Sequence, residues 1–323
     1  MRPLRFTPQL KSLIWGGEKI APYKGIRTEG RNIGESWELS GVKGNESVVA
    51  EGEYAGRTLP ELIARFRGEL VGEAVYERHG TEFPLLVKFI DARQDLSIQV
   101  HPDDRLAWMR HKSNGKTEMW YVVAADKGAH LKSGFSKQLT PAEYERMVAD
   151  HTLTDALCDY PVTAGDLFFL PAGRVHAICA GTFVAEIQQT SDITYRIYDY
   201  GRTGADGKPR ELHTELAKDA IDYTVLPDYR THYEAVQNSR VELVSCPYFT
   251  TSLLDLTVPE TLDLADLDSF VVAICIEGRG TIADDSGETV PVHQGETVLI
   301  PASARSLAFT PDGAMKLLTS WIG

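Results

Sequence analysis

A twelve-residue pattern that occurs twice constrains this chain more than any other feature. Gly165-Asp-Leu-Phe-Phe-Leu-Pro171-Ala-Gly173-Arg-Val-His176 has the form G-x5-P-x-G-x2-H. The segment Gly295-Glu-Thr-Val-Leu-Ile-Pro301-Ala-Ser303-Ala-Arg-Ser306 repeats its opening 130 residues downstream. A Gly-acid turn, a short apolar strand and a Pro-terminated corner make one hairpin of a jelly roll, so the duplication predicts two jelly-roll barrels in one chain. The copies part at their last position, where His176 closes the first and Ser306 the second. One barrel keeps a side chain able to bind a ligand. The other is expected to be structural and metal-free.

The rest of the chain reads as all-β with small helical insertions. Short runs rich in Val, Ile and Phe, bounded by Gly, Pro or Asp, lie at 85–90, 96–100, 119–124, 166–170, 183–188, 241–244, 270–276 and 297–300. They do not alternate with helices, which argues against a parallel α/β sheet. Helices are predicted where capping chemistry announces them. Thr58-Leu-Pro-Glu61 and Thr140-Pro-Ala-Glu143 each place a hydroxyl at the cap, Pro in the first turn and Glu three residues on. With a third helix, the insertions are expected at about 58–78, 138–157 and 212–222. The polar stretch 228–238 divides the chain into a first domain, 1–230, and a second, 231–323.

Charge narrows the function. Against 33 Lys and Arg stand 46 Asp and Glu, a net −13. A surface this acidic repels nucleic-acid phosphates and anionic lipid, so neither is an expected partner. A small anionic substrate is compatible, because a local cation cluster overrides the global field at short range. Four widely spaced cysteines without a CxxC pair read as reduced thiols, and the basic start of the chain lacks an apolar signal core. The longest apolar run, 270–276, is too short to span a bilayer. A cytoplasmic protein, monomer or homodimer, is expected.

The chemistry concentrates around one barrel. Gln99 and His101 end a strand two residues apart and so share a face. Glu118 opens the next strand, and His176 lies in the repeated corner. Four N and O donors from neighbouring strands make a metal set, with Zn²⁺ favoured, one per chain, and Mn²⁺, Co²⁺ or Fe²⁺ as substitutes. The other histidines lack partners at ligand spacing. Lys88 interrupts the apolar strand LLVKFI, Lys116 shares a strand face with Glu118, and Arg196 follows the 183–189 strand. Three cations around a metal cavity in an acidic chain indicate an anion site.

These segments resemble the type I phosphomannose isomerases in their short bacterial form. The resemblance is carried by Trp15-Gly-Gly17, Gly34-Glu-Ser-Trp37-Glu-Leu-Ser40, Phe83-Pro-Leu-Leu-Val-Lys88, Asp95-Leu-Ser-Ile-Gln99-Val-His101-Pro-Asp103, Gly115-Lys-Thr-Glu118 and Pro171-Ala-Gly-Arg-Val-His176-Ala. The stretch from Glu186 through Asp192 and Arg196 to Tyr200 completes it. It is dense from residue 10 to about 215 and thin beyond. It implies a two-cupin, zinc-dependent isomerase of mannose 6-phosphate and fructose 6-phosphate working through a cis-enediol. Carried onto this sequence, it implies Gln99, His101, Glu118 and His176 as metal ligands, and Arg196, Lys116, Lys88 and Asp192 as catalytic residues. Ser97, Lys88, Lys116, Arg196 and Glu38 are expected to bind substrate, and the base is open among Glu38, Asp192, a ligand His and a metal-bound water. Where long family members carry N-H-K-P-E before the ligand Glu, this chain has Gly115-Lys-Thr-Glu118, and the large helical domain is absent. The competing readings are a non-catalytic sugar-binding cupin and a metal-dependent cupin oxygenase.

Overall fold

The computed structural model describes residues 2–204 and 207–323. In the first half, six strands form one sheet in the order Gln9–Gly17, Ile33–Ser40, Leu85–Asp91, Thr182–Gln189, Glu118–Ala125, Leu167–Leu170. Five form a second in the order Tyr195–Tyr198, Ile98–Val100, His176–Ile178, His130–Phe135, Leu157–Pro161. All these pairings are antiparallel. The two sheets face each other across Ile90, Leu96, Trp120, Val122, Leu131, Phe168, Ile178 and Val184. They make a jelly-roll sandwich rather than a closed barrel.

The six-stranded sheet is covered on both sides. Its outer face packs Val87, Phe89, Met119, Tyr121 and Ile187 against the helices at 59–79 and against Leu253, Phe270, Val272 and Ile274 of the second half. This explains why Leu85–Asp91 and Thr182–Gln189 are buried at every position. A polar side chain on such a strand is costly unless it has partners, so Lys88 and Glu186 mark a site rather than a surface. The capped helices form as expected: Leu59–Phe66 and Pro141–Ala149 each carry a complete capping box. The latter and Thr214–Ala220 cover the outer face of the five-stranded sheet. Besides the single turn Ile20–Tyr23, one helix, Asp104–His111, was not expected from the sequence. Its signal was the Asp103 cap, whose Oδ1 accepts from Leu106 N at 2.7 Å; its exposed Trp108 and Met109 blur the apolar periodicity.

The duplicated corner is a structural duplication down to its hydrogen bonds. In the first copy, Gly165 N donates to Val122 O at 2.8 Å and Val122 N to Asp166 O at 2.9 Å. In the second, Gly295 N donates to Cys275 O at 2.8 Å and Cys275 N to Glu296 O at 2.9 Å. The acid after each glycine caps its own turn, Asp166 accepting from Thr163 N at 2.8 Å and Glu296 from His293 N at 2.9 Å. Both glycines sit at positive φ, +95° and +85°, where a side chain is strained. The same superposition sets Glu118, opposite Leu170, against Val271, opposite Ile300. The second copy thus replaces Glu118 and His176 with Val271 and Ser306, and its interior is filled by Val271, Ile300, Leu307 and Leu317.

The second half is one eight-stranded sheet built on two long strands, Val271–Asp284 and Ser306–Trp321. The expected division at 230/231 needs amendment at two places. Leu4–Arg5 pairs with Val298 and Leu299, so the start of the chain joins the second sheet. The 228–238 stretch is not a free linker: Tyr229 fills the space over Gly134, Thr231 bridges Leu167, and Tyr233 Oη donates to Gly165 O at 2.8 Å. Among the described residues no helix is long and apolar enough to cross a membrane.

Candidate active site

Strand register builds the site from two facing rows. Across the five-stranded sheet, Arg196 lies opposite Gln99, Gln99 opposite His176, and His176 opposite Ser133. Across the six-stranded sheet, Trp120 lies opposite Glu186, Glu186 opposite Lys88, and Lys88 opposite Trp37. Directly opposed residues point to the same face, so each row projects into the sandwich. Glu118 stands two residues before Trp120 and joins its row.

At the centre, His101 Nε2 is 3.5 Å from Glu118 Oε2, and His176 Nε2 is 3.3 Å from Glu118 Oε1. Each imidazole gives its Nδ1 to a backbone carbonyl, His101 to Ile193 O at 2.9 Å and His176 to Arg174 O at 2.8 Å. A carbonyl can only accept, so the proton is on Nδ1 and the Nε2 lone pair faces Glu118. Burial, reinforced by Lys116, pushes His101 down to about 3, and burial also lowers His176. Burial alone raises the Glu118 carboxyl, but the Lys116 ammonium beside it outweighs this and holds it well below the carboxylate range.

Two neutral imidazoles and a carboxylate are a cation's donor set. His101 Nε2 and both Glu118 oxygens are buried without a hydrogen-bond partner, a costly arrangement that an ion relieves. The amide head of Gln99 lies 3.2 Å from His176 Nε2, and a flip of that amide exchanges its N for O without changing shape. The residues fit a divalent ion. Among the described residues, such a group of His, Cys, Asp or Glu donors occurs only here.

Gln99 and Lys116, which touch this centre, also line a cavity of about 380 Å³, together with Lys88, Ser97, Asp192, Arg196, Glu35, Trp37, Glu186 and Arg210. Lys88 Nζ is 3.0 Å from Glu186 Oε1, and Lys116 Nζ is 3.3 Å from Glu118 Oε2. The Arg196 backbone is held on both sides by His213, through Arg196 N to Nδ1 at 3.1 Å and His213 N to Arg196 O at 2.7 Å.

Residues 4–129 match the phosphomannose isomerase type I catalytic domain, and residues 239–322 match the mannose-6-phosphate isomerase cupin domain. The chain is 37% identical over 303 residues to mannose-6-phosphate isomerase ManA of Bacillus subtilis, covering 93% of each. The chain belongs to the type I phosphomannose isomerase family. A mannose-6-phosphate isomerase of Streptococcus mutans is 33% identical over 319 residues, 98% of each chain. The crystal structure of a Bacillus subtilis mannose 6-phosphate isomerase matches with a TM-score of 0.88 at 31% identity, covering 99% of both chains.

One expected residue of this phosphomannose isomerase is elsewhere. Glu38 does not line the cavity. Strand period puts Glu35 and Trp37 on the inner face and Ser36 and Glu38 on the other. There Glu38 is buried, 2.7 Å from Lys24 Nζ and 2.5 Å from Ser36 Oγ, and Lys24 also donates to Gly295 O. Glu38 therefore helps hold the two halves together and is withdrawn as substrate ligand and base. Several cavity residues were not expected from the sequence, Glu186 and Arg210 among them. Glu186 gave the same signal as Lys88, a charge inside an apolar strand. Arg210, in an irregular polar loop, gave none.

Proposed function

We propose that this enzyme interconverts mannose 6-phosphate and fructose 6-phosphate, moving a proton between C1 and C2 of the open-chain sugar through a cis-enediol. One observation carries the reading: Gln99 and Lys116, which touch the buried cation-ready triad, line the same cavity as the Lys88–Glu186 pair and two guanidiniums. A divalent cation held by Gln99, His101, Glu118 and His176 would supply Lewis-acid stabilisation of negative charge on the enediol oxygens, and Zn²⁺ suits this N and O set, with Mn²⁺, Co²⁺ or Fe²⁺ as substitutes.

The chain's own side chains supply the rest. Glu186 is the buried cavity carboxylate that the triad does not use, so it takes the role of proton carrier between C1 and C2. Its Oε2 accepts from Trp120 Nε1 at 2.8 Å, which fixes the carboxyl plane while Oε1 stays beside Lys88. Burial, then the nearby Glu118, raises its pKa against the opposing pull of Lys88. Lys116 offsets the Glu118 charge. Asp192 and Ser97 stand on the cavity wall as groups for sugar hydroxyls.

We assign Arg196 to the charge that develops on the enediol, a role supported by its register beside Gln99, one strand further from His176. Arg196→Ala should then lower kcat by ~10²–10³, because a donor aimed at developing charge acts in the transition state. Arg196→Lys should rescue poorly, since a point charge does not replace the planar fork. A normal kcat with a greatly raised KM would remove Arg196 from the reacting end.

The reading is tested by coupling fructose 6-phosphate formation from mannose 6-phosphate to a dehydrogenase, with and without a chelator. Binding of the sugar phosphate without turnover would favour the non-catalytic alternative. We place the enzyme in the cytoplasm: its four cysteines are free thiols, and burial pushes Cys179 and Cys275 up to about 12, as inert core groups in a reducing compartment.

A further inference from the structure

Five cationic side chains line the cavity, Lys11, Lys88, Lys116, Arg196 and Arg210, and their partners sort them. Lys88 and Lys116 lie against buried carboxylates, Glu186 at 3.0 Å and Glu118 at 3.3 Å. Lys11 donates to Asn45 Oδ1 at 2.6 Å and stands over the Trp37 ring. The remaining two belong to a different cluster, in which Arg202 and Arg210 pair with one buried carboxylate, Asp199, and Arg196 stands close enough to feel their charges while its Nη1 donates to Glu211 O at 2.9 Å.

Asp199 Oδ2 accepts from Arg210 Nε at 2.6 Å, and Oδ1 accepts from Arg210 Nη2 as well as from Arg202 Nη2 at 2.5 Å. A two-point fork fixes the plane of a guanidinium as well as its place. Arg202 also donates to the backbone oxygen of Asp95, two residues before Ser97 on the cavity wall. Asp199 therefore ties Arg210 to the segment that carries Ser97. The cluster has more guanidinium than carboxylate charge in a chain whose net charge is −13, and Arg196 Nε is buried without a hydrogen-bond partner. Such an excess of cations at a cavity wall calls for an anion from outside.

We propose that Asp199 is a positioning residue that presents Arg210 to the distal phosphate of the substrate, so that Arg210, rather than Lys88 or Lys116, makes the phosphate fork. The proposal rests on the isomerase reading above. It separates two guanidiniums by role: Arg196 beside the reacting carbons, Arg210 on the group that does not react. A phosphate contact made equally in ground and transition states appears in KM and leaves kcat nearly unchanged.

The test uses steady-state kinetics and calorimetry with inorganic phosphate and with an unreactive hexitol 6-phosphate, set against the unphosphorylated hexitol. Arg210→Ala should raise KM about 10- to 100-fold, the range for losing a charge-assisted partner, with kcat within a few-fold. Inorganic phosphate and the hexitol phosphate should weaken by the same factor, and the hexitol should not change. Asp199→Asn, of equal size, should weaken phosphate binding in the same direction, although the substituted side chain itself never touches the phosphate. Arg210→Lys, which keeps the charge and loses the fork, should fall between parent and Arg210→Ala, and it carries the positioning test if Asp199→Asn does not fold. Unchanged phosphate affinity in Arg210→Ala, or a lowered kcat at unchanged KM, overturns the proposal. A parent that binds these phosphates but does not isomerise mannose 6-phosphate overturns the isomerase reading instead, so the two failures are distinct.

Discussion

His101→Ala and His176→Ala should each lose the bound cation and turnover together. Each imidazole offers its only remaining lone pair to the centre, because its Nδ1 is committed to a backbone carbonyl. No nearby side chain can take its place, since both positions are almost wholly buried. Losing the cation removes a term of several kcal/mol, so turnover should fall on the order of 10³-fold or more. Elemental analysis of each purified variant alongside the coupled assay checks this, with one metal per chain expected for the parent. Gln99→Ala should be milder, because a neutral amide oxygen contributes less and water can replace it. Ser306→Ala is the control: the second copy lacks both donors, so metal content and turnover should stay within a few-fold of the parent. A histidine variant that keeps one metal per chain at near-parent turnover would show that the ligand set is wrong. Two metals per chain would show that the second half is not a purely structural copy.

Glu186→Gln should lower kcat by ~10²–10⁴, the usual contribution of a positioned acid or base. The substitution keeps the size of the side chain and an oxygen for the Trp120 indole, but removes the group that takes the proton. Metal content should not change, because Glu186 lies outside the triad, and KM should move little. Isomerisation in deuterated water adds a second readout. The parent should exchange solvent deuterium into the sugar at C1 or C2, and the variant should lose exchange in step with turnover. A Glu186→Gln enzyme within tenfold of the parent kcat, with exchange intact, would transfer the proton role to another group, Asp192 or Glu35 being the other cavity carboxylates.

Local chemistry made several features readable from the residues alone. Thr58 and Thr140 announced their helices because a capping box is complete within four residues. The repeated corner was readable because each Gly-acid turn closes on itself, through Asp166 to Thr163 and Glu296 to His293. Gln99 and His101 could be placed on one face because the strand period is fixed. Glu38 failed by the same rule. Nothing local told which parity of Ile33–Ser40 faces the cavity, and only the ladder with Leu85–Asp91, which sets Trp37 against Lys88, settles it.

By itself, then, the sequence determined the all-β character, the duplication, the loss of His from the second copy and the donor types of one metal set, since these depend on residue identity and short-range spacing. Tertiary structure decided which carboxylates meet which cations. Glu186 comes to Lys88 from 98 positions away in the chain, and Glu38 comes to Lys24 and Gly295 across the two halves. Arg210 joins the cavity because Asp199 holds it there. Such pairings follow from sheet register and from burial, which makes an unpaired charge too costly to keep, and neither can be read from a stretch of chain taken alone.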